Sequence, residues 1–550
     1  MKIVIVGGVA GGASAAARLR RLSEEAHIVM FEKDEFISFA NCGLPYHISG
    51  VIEDRNDLLV QTKEGLSERF NLDIRNFSEV IGIDRERKIV HVKEVKTGHT
   101  YEESYDKLIL SPGASPIVPP IPGYQDANNV FILRNIPHTD KIIDYIKTHD
   151  VHKVAVIGGG FIGVEVAENL KELNKDVTII DMAPQVLAPL DFEFAQLVHK
   201  KLKKRGIKLK LNDGVSHFEN NGTRVVTKSG AMIETDMIIL AIGVSSEIKL
   251  AQDAQLNIGP LRGIVVNDTM QTSDPDIYAL GDAIEVKHRV SGLSTKIPLA
   301  WPANRQAIVA ANHIFNVKDS YKGSMGTAVV KVFDMTVATT GLNERTLKQL
   351  NLPYQSVHVQ RNNHASYYPG AKEMNLKLLF HPETGMIYGA QGVGYEGVEK
   401  RIDVIATAMI GQLRATDLVD IELSYAPPFG SAKDPVNILG YAATNIINGF
   451  VKKVDVLDVP NLMASGATLL DVRTPDELKY GYIEGSINIE IDQLRQRLDE
   501  LPSKDTPIYV MCRVGHRGYV ASVLLQNLGY NAINIDGGYE LYKAAVASYE

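Results

Sequence analysis

Gly158-Gly-Gly160-Phe-Ile-Gly163 follows the apolar run Lys153–Ile157 and opens a stretch of helical character. Three closely spaced glycines at the end of a strand allow a tight turn. They also let backbone N–H groups approach a pyrophosphate, and they aim a helix N-terminus at that anion. Asp181 closes the next apolar run, residues 177–180, and stands 23 positions after Gly158. A carboxylate there meets a ribose hydroxyl. The segment is therefore expected to bind a dinucleotide, with Gly158, Gly160, Gly163 and Asp181 as contacts. Met-Ala-Pro follows Asp181 without a nearby Arg, which favours NADH over NADPH.

A second segment of the same kind lies at the N-terminus: the strand at residues 2–6, Gly7-Gly8-Val9-Ala10-Gly11-Gly12, an Ala-rich helix, then a strand at 28–31 closed by Glu32. Val9 occupies the position of the middle fingerprint glycine, so this turn departs from the pattern. Its support comes from further along the chain. Asp276-Ile-Tyr-Ala-Leu-Gly-Asp282-Ala puts Asp282 just after a strand, where it can accept a hydrogen bond from a ribityl hydroxyl. Two strand-to-glycine endings, Leu108-Ile-Leu-Ser-Pro-Gly-Ala and Ile238-Ile-Leu-Ala-Ile-Gly243, close the two halves.

At 60.4 kDa the chain is too long for one core. Its 58 Lys and Arg against 66 Asp and Glu give a net charge of −8 without any basic block. Nucleic acid is therefore not an expected partner. A polyanionic ligand would need a local cationic patch working against the global field. Two cysteines cannot form a disulfide framework and suit a reducing compartment. The chain starts directly on a strand, and no apolar run reaches spanning length. A cytoplasmic protein is expected, with no membrane partner and no assigned metal site.

Cys42 lies in Ser38-Phe-Ala-Asn41-Cys42-Gly-Leu-Pro-Tyr, and four and five positions on stand Tyr46 and His47. A lone thiol can form a sulfenic acid or a mixed disulfide with an external thiol. Gly43 and Pro45 suit a helix start, whose dipole is expected to lower the cysteine pKa. Taken with the two nucleotide segments, residues 1–445 resemble the two-dinucleotide-binding-domain flavoprotein disulfide reductases. That resemblance assigns FAD to the first segment, with Gly7, Gly8, Gly12, Glu32 and Asp282 as contacts, and NAD(P)H to the second. Glutathione-reductase-type members use a CxxxxC pair, which is missing here. Peroxide-reducing members carry a histidine in the first glycine turn, and this chain has none before His27.

The Cys42 segment is most similar to coenzyme A-disulfide reductases. His364-Ala-Ser-Tyr367-Tyr368-Pro-Gly-Ala and Ser424-Tyr425-Ala-Pro-Pro-Phe-Gly-Ser-Ala-Lys433 resemble motifs in that family's C-terminal domain. The resemblance implies a homodimer in which Tyr367 and Tyr425 reach the partner's active-site sulfur, with Tyr368 competing for the first role. It also implies that coenzyme A is gripped by Ser14, Arg18, Arg21, Ser38, Asn41, Asn304, Arg305 and Lys433. Ser14, Arg18 and Arg21 share one helix face by spacing.

Cys512 follows the strand at 508–511 in Met511-Cys-Arg-Val-Gly-His-Arg517-Gly, ahead of a helix expected near Gly518. A turn from Cys512 to Arg517 would point N–H groups inward as an anion cradle, with Arg513, His516 and Arg517 adding positive charge. With Leu470-Asp-Val-Arg473 and Asp536-Gly-Gly-Tyr, residues 460–550 resemble a rhodanese domain. One departure is Tyr482, where histidine commonly precedes Ile-x-Gly.

The expected fold class is α/β: two Rossmann-like dinucleotide-binding domains, an α+β dimerisation domain and a C-terminal rhodanese domain. The expected boundaries are 1–115 with 250–328 for FAD, 116–249 for NAD(P)H, 329–445 for dimerisation, 446–459 as linker and 460–550 for rhodanese. The implied activity is reduction of coenzyme A disulfide, coenzyme A persulfide or polysulfide by NADH through Cys42, with Cys512 and Arg517 serving persulfide transfer. The alternatives are an NADH oxidase or peroxidase with an accessory rhodanese, or a redox-sensing sulfur relay.

Overall fold

The computed structural model describes residues 1–546, so the last four residues of the 460–550 span lie outside it. Contacts divide the chain into two units, Met1–Pro184 with Ile207–Gly326, and Gln185–Gly206 with the chain from Thr327 onward.

The first unit holds two parallel five-stranded sheets. One runs Ile277–Ala279, Lys107–Leu110, Lys2–Val6, His27–Phe31, Asp73–Arg75. The other runs Lys208–Lys210, Asp176–Ile180, Lys153–Ile157, Met237–Leu240, Val130–Ile132. Strands buried on both faces need continuous apolar sequence, and Ile3, Val4 and Ile5 are wholly buried. In each sheet the strand order reverses beside the strand that carries the glycine turn. That is where an open parallel sheet leaves a crevice for a ligand.

The second unit contains an antiparallel sheet ordered Ala328–Val332, Met335–Gly341, Ile387–Gly394, Glu373–Phe380, Gln355–Asn362. Alternation sends Met374, Leu376, Leu378 and Phe380 into a core shared with helices Val398–Ile410 and Pro435–Ile447. The helix Phe192–Lys204 belongs to this unit by its contacts, although 116–249 is expected to be one nucleotide domain. Its Glu193 meets the buried Lys377.

The rhodanese-like sheet is parallel and ordered Lys453–Asp455, Ala532–Asp536, Ile508–Met511, Thr468–Asp471, Ile487–Asn488. Part of the expected linker is thus an edge strand, since Lys453–Asp455 pairs with Asn534–Asp536. Among the described residues no helix is long and apolar enough to cross a membrane.

Candidate active site

The two glycine turns are built alike. Gly7 and Gly158 have φ of +96° and +110°, and an added Cβ would lie 2.1 Å from Ser111 O or 2.3 Å from Ala241 O. Gly12 and Gly163 are equally constrained, because a Cβ would strike the carbonyls of Gly7 and Gly158 at 1.8 and 2.0 Å. The position between differs. At Gly160 a Cβ would meet no protein atom within 4 Å, so the space it faces is open. This explains why Val9 fits at the corresponding place in the first turn without disturbing the protein.

The strand-end carboxylates also correspond. Glu32 accepts from the Gly8 N–H at 2.8 Å, and Asp181 accepts from the Gly159 N–H at 2.6 Å. Gly7, Glu32, Asn41 and Asp282 line one cleft of about 1490 Å³ including its open mouth. Burial pushes the Asp282 carboxyl above its ordinary pKa, with Arg134 acting the other way. The residues present fit FAD in the first crevice and a nicotinamide dinucleotide in the second.

Cys42 sits in the short turn Asn41–Gly43, open to solvent, ahead of the five-residue helix Leu44–Ile48. Its thiol pKa is raised, not lowered as the helix start suggests. Desolvation is the main cause, and the negative potentials of Glu165 and Asp282 add to it. One turn of helix offers little dipole to set against them. Tyr46 donates to Glu165 at 3.4 Å, and burial lifts the Glu165 carboxyl to about 7. Neither residue is singled out by the sequence reading, although Glu165 lies two positions past Gly163 and Tyr46 four past Cys42. Ser38, just upstream, adopts a positive φ of 45°, a strained conformation for a residue with a Cβ.

Four of the residues expected to grip coenzyme A meet on one surface. Ser14 Oγ donates to Asn304 Oδ1 at 2.8 Å, and Arg18 Nε donates to Asn312 Oδ1 at 2.8 Å. Arg305 is tied to Asp319 at 2.5 and 2.8 Å, and Asn312 donates to the same carboxylate. The patch is therefore less cationic than a count of arginines suggests. Arg21 is exposed nearby on the same helix, Ala10–Leu22. Ser38 and Asn41 flank Cys42 in the chain, whereas Lys433 belongs to the second unit, over the Tyr441 ring.

In the second unit the Tyr367 and Tyr425 hydroxyls lie 2.9 Å apart, with both side chains exposed. Tyr368 turns away and packs edge-on against His364. The two tyrosine loops share a buried support. Arg401 donates to Asn363 O at 2.8 Å and pairs with Asp434 at 2.7 Å, and Ala365 N–H donates to Gly430 O at 2.8 Å.

Cys512 is buried, and its Sγ accepts from the Gly515 N–H at 3.2 Å. The following helix begins at His516, two residues earlier than expected, so the cradle is correspondingly tighter. Gly538 closes it: a Cβ there would lie 2.7 Å from Cys512 O, Val514 N and Gly515 N. The expected side-chain charge is largely offset. Arg517 forms a two-pronged pair with Glu477 at 2.6 and 2.7 Å, and Arg513 lies 3.6 Å from Glu540 and 3.7 Å from Glu373. Desolvation and Arg361 push the His516 pKa down. Among the described residues, the hydrogen bond to the sulfur thus comes from a backbone N–H, that of Gly515. Two acidic clusters elsewhere, Asp191–Glu193–Glu344 and His358–Asp455–Asp536, each enclose a lysine, Lys377 or Lys453.

Residues 1–310 match the pyridine nucleotide-disulphide oxidoreductases, 327–435 their dimerisation domain, and 456–545 the rhodanese-like domain. The chain belongs to the pyridine nucleotide-disulphide oxidoreductase family, a class of FAD-containing enzymes that use NAD(P)H, and carries a rhodanese-like domain. Among its relatives, a coenzyme A disulfide reductase of Staphylococcus aureus (strain JH9) is 41% identical over 443 residues, covering 80% of this chain and 99% of the relative. The crystal structure of reduced Bacillus anthracis CoADR-RHD is 56% identical with a TM-score of 0.98, covering 99% of this chain and 98% of that one. A NAD-dependent persulfide reductase from A. fulgidus is 34% identical with a TM-score of 0.93, covering 98% and 100%.

Proposed function

We propose that the protein is an NADH-dependent flavoenzyme that reduces coenzyme A disulfide or coenzyme A persulfide through Cys42, while Cys512 carries sulfur as a persulfide. The observation that carries this reading is the solitary Cys42 beside the FAD crevice. Cys512 is the only other cysteine in the chain and lies in its own cradle, so no CxxxxC partner is available and the second thiol comes from outside. The relatives named for coenzyme A disulfide and for persulfide support the two substrates.

Bound FAD supplies a two-electron relay between nicotinamide and sulfur. The chain's own residues do the rest. Asp181 and the Gly158 turn seat NADH, and the carboxylate without a neighbouring Arg disfavours a 2′-phosphate. The patch of Ser14, Arg18, Arg21, Asn304 and Arg305, with Ser38, Asn41 and Lys433, holds coenzyme A. The Cys42 thiolate attacks the disulfide, forming a Cys42–coenzyme A mixed disulfide and expelling one thiolate, which takes a proton. Hydride equivalents from NADH then cleave the mixed disulfide to the Cys42 thiolate and a second coenzyme A thiol. In the homodimer, Tyr367 and Tyr425 donate hydrogen bonds to the sulfur being released. With a persulfide in place of the disulfide, the same sequence releases sulfide.

Steady-state NADH oxidation separates the steps. Cys512→Ser is expected to keep wild-type turnover of coenzyme A disulfide and to lose transfer from thiosulfate. Equal loss of both activities would overturn the division of labour between the sulfurs.

A further inference from the structure

The segments that shape the Cys512 cradle are held from outside the rhodanese-like sheet. One is the turn Asp536-Gly537-Gly538, whose glycines adopt φ of +84° and +68°. It sets the helix Gly538–Val546 against the cysteine loop, so that the Tyr539 N–H donates to Cys512 O at 2.8 Å and the Glu540 N–H to Arg513 O at 3.0 Å. The others are the loop itself and the helix His516–Asn527 that follows it. The dimerisation core reaches each of them. His358, on the edge strand Gln355–Asn362, holds Asp536. Asn445, on the helix Pro435–Ile447, donates to Tyr519 OH at 3.3 Å, and Glu373 lies 3.7 Å from Arg513.

The contact at Asp536 is the firmest of these. His358 donates twice to Asp536 Oδ2, from its backbone N–H at 3.0 Å and from Nδ1 at 2.8 Å. Its Nε2 donates to Glu193 Oε1 at 3.1 Å, and the Phe194 ring packs beside the imidazole with centroids 5.7 Å apart. An ionised carboxylate accepts and does not donate, so both ring nitrogens carry a proton and the imidazolium is locked between two acids. His358, Asp536 and Glu193 are all buried, whereas Arg513 is exposed and can exchange Glu373 for water. From Asp536 to the sulfur the path is short. A Cβ on Gly538 would lie 2.7 Å from Cys512 O, Val514 N and Gly515 N, and the Gly515 N–H is the donor to Cys512 Sγ. Packing this close transmits any displacement of the turn to the amide that faces the sulfur.

We propose that His358, through its Nδ1 bond to Asp536, is a positioning residue for sulfur transfer at Cys512, which makes the dimerisation sheet part of the rhodanese site. This rests on the reading of Cys512 as the persulfide carrier. A Cys512 persulfide bears its negative charge on sulfur, and the cradle stabilises it only while the loop amides stay aimed. His358 touches neither the sulfur nor the sulfur donor. It holds Asp536, Asp536 directs the Gly537–Gly538 turn, and the turn fixes the carbonyls and amides of the cysteine loop. Uncoupling His358 from Asp536 should impair transfer although Cys512 and its whole loop are intact.

Two amide substitutions separate the two bonds of the imidazole. An asparagine amide nitrogen falls near Nδ1 and a glutamine amide nitrogen near Nε2, and both remove the same positive charge. His358→Asn keeps the donor to Asp536 and gives up Glu193, which retains Lys377 at 2.5 Å. His358→Gln keeps the donor to Glu193 and leaves Asp536 with the backbone N–H alone from this residue. In the full-length, FAD-loaded protein, sulfur transfer from thiosulfate to cyanide is followed as thiocyanate. NADH-dependent reduction of coenzyme A disulfide, measured on the same samples, reports the intact fold. His358→Gln is expected to lower kcat for transfer about ten-fold with KM for thiosulfate little changed, while His358→Asn stays within about three-fold of wild type. Reduction should stay near the wild-type rate in both. Transfer in His358→Gln that equals or exceeds that in His358→Asn would overturn the proposal. A parallel fall of transfer and reduction, the mark of a purely structural residue, would overturn it too. Transfer that survives in Cys512→Ser would instead overturn the reading on which it rests.

Discussion

At the scale of single residues, one buried guanidinium holds the tyrosine pair in place. Arg401 is almost fully buried and reaches Asp434, Asn363 O and Gly397 O, joining the loop of Tyr367 to that of Tyr425. Removing one partner of a buried pair strands the other charge. Arg401→Met is therefore expected to cost about 3–5 kcal/mol of stability, read from urea unfolding. The double variant Arg401→Met with Asp434→Leu should recover part of that loss. If the single variant were as stable as the wild type, the pair would not be the support described. The sequence made Tyr367 and Tyr425 visible through their motifs. It could not reveal Arg401, since an arginine in an amphipathic helix reads as a solvated face until its burial is known.

At the scale of elements, the nucleotide turns were legible because strand, glycine spacing and strand-end carboxylate are all local in sequence. What spacing could not say is which glycine serves the fold and which serves the ligand. Gly163→Ala puts a methyl 2.0 Å from the Gly158 carbonyl, whereas Gly160→Ala meets no protein atom within 4 Å. Thermal melting should therefore drop for Gly163→Ala and stay within about 2 °C of wild type for Gly160→Ala, a surface change free of clashes. NADH binding to Gly160→Ala should nonetheless weaken. Unaltered NADH affinity there would mean that the dinucleotide does not approach this turn. The Cys42 turn was misread for a physical reason. Its helix is short, so partial desolvation of the thiol and two nearby carboxylates outweigh the dipole.

At the scale of the whole molecule, the rhodanese-like sheet is not a bead on a flexible linker. Its edge strand begins within the expected linker, and a buried charge network joins it to the dimerisation sheet. His358 contacts Asp536 at 2.8 Å and Glu193 at 3.1 Å, and Lys453 reaches Ser356 at 2.7 Å. Asp536 directly precedes the glycines that close the Cys512 cradle. These pairings join residues far apart in the sequence, so no local pattern announces them. Its carboxylate neighbours raise the His358 pKa from 6.5 to about 9 despite burial. A raised folded-state pKa contributes stability that is complete below the unfolded value and is lost as pH rises through the folded one. The second unit should therefore lose on the order of 2–3 kcal/mol between pH 6.5 and pH 9. Limited proteolysis and calorimetry across that range would register it, and His358→Gln should flatten the dependence.

The central claim is that Cys42 is the sulfur through which an external thiol is reduced. The most direct measurement is NADH-dependent release of free thiol from coenzyme A disulfide by Cys42→Ser, prepared with its full complement of FAD. The account predicts release at least a thousand-fold below wild type, roughly the size expected for loss of a covalent nucleophile. Release at the wild-type rate would contradict it.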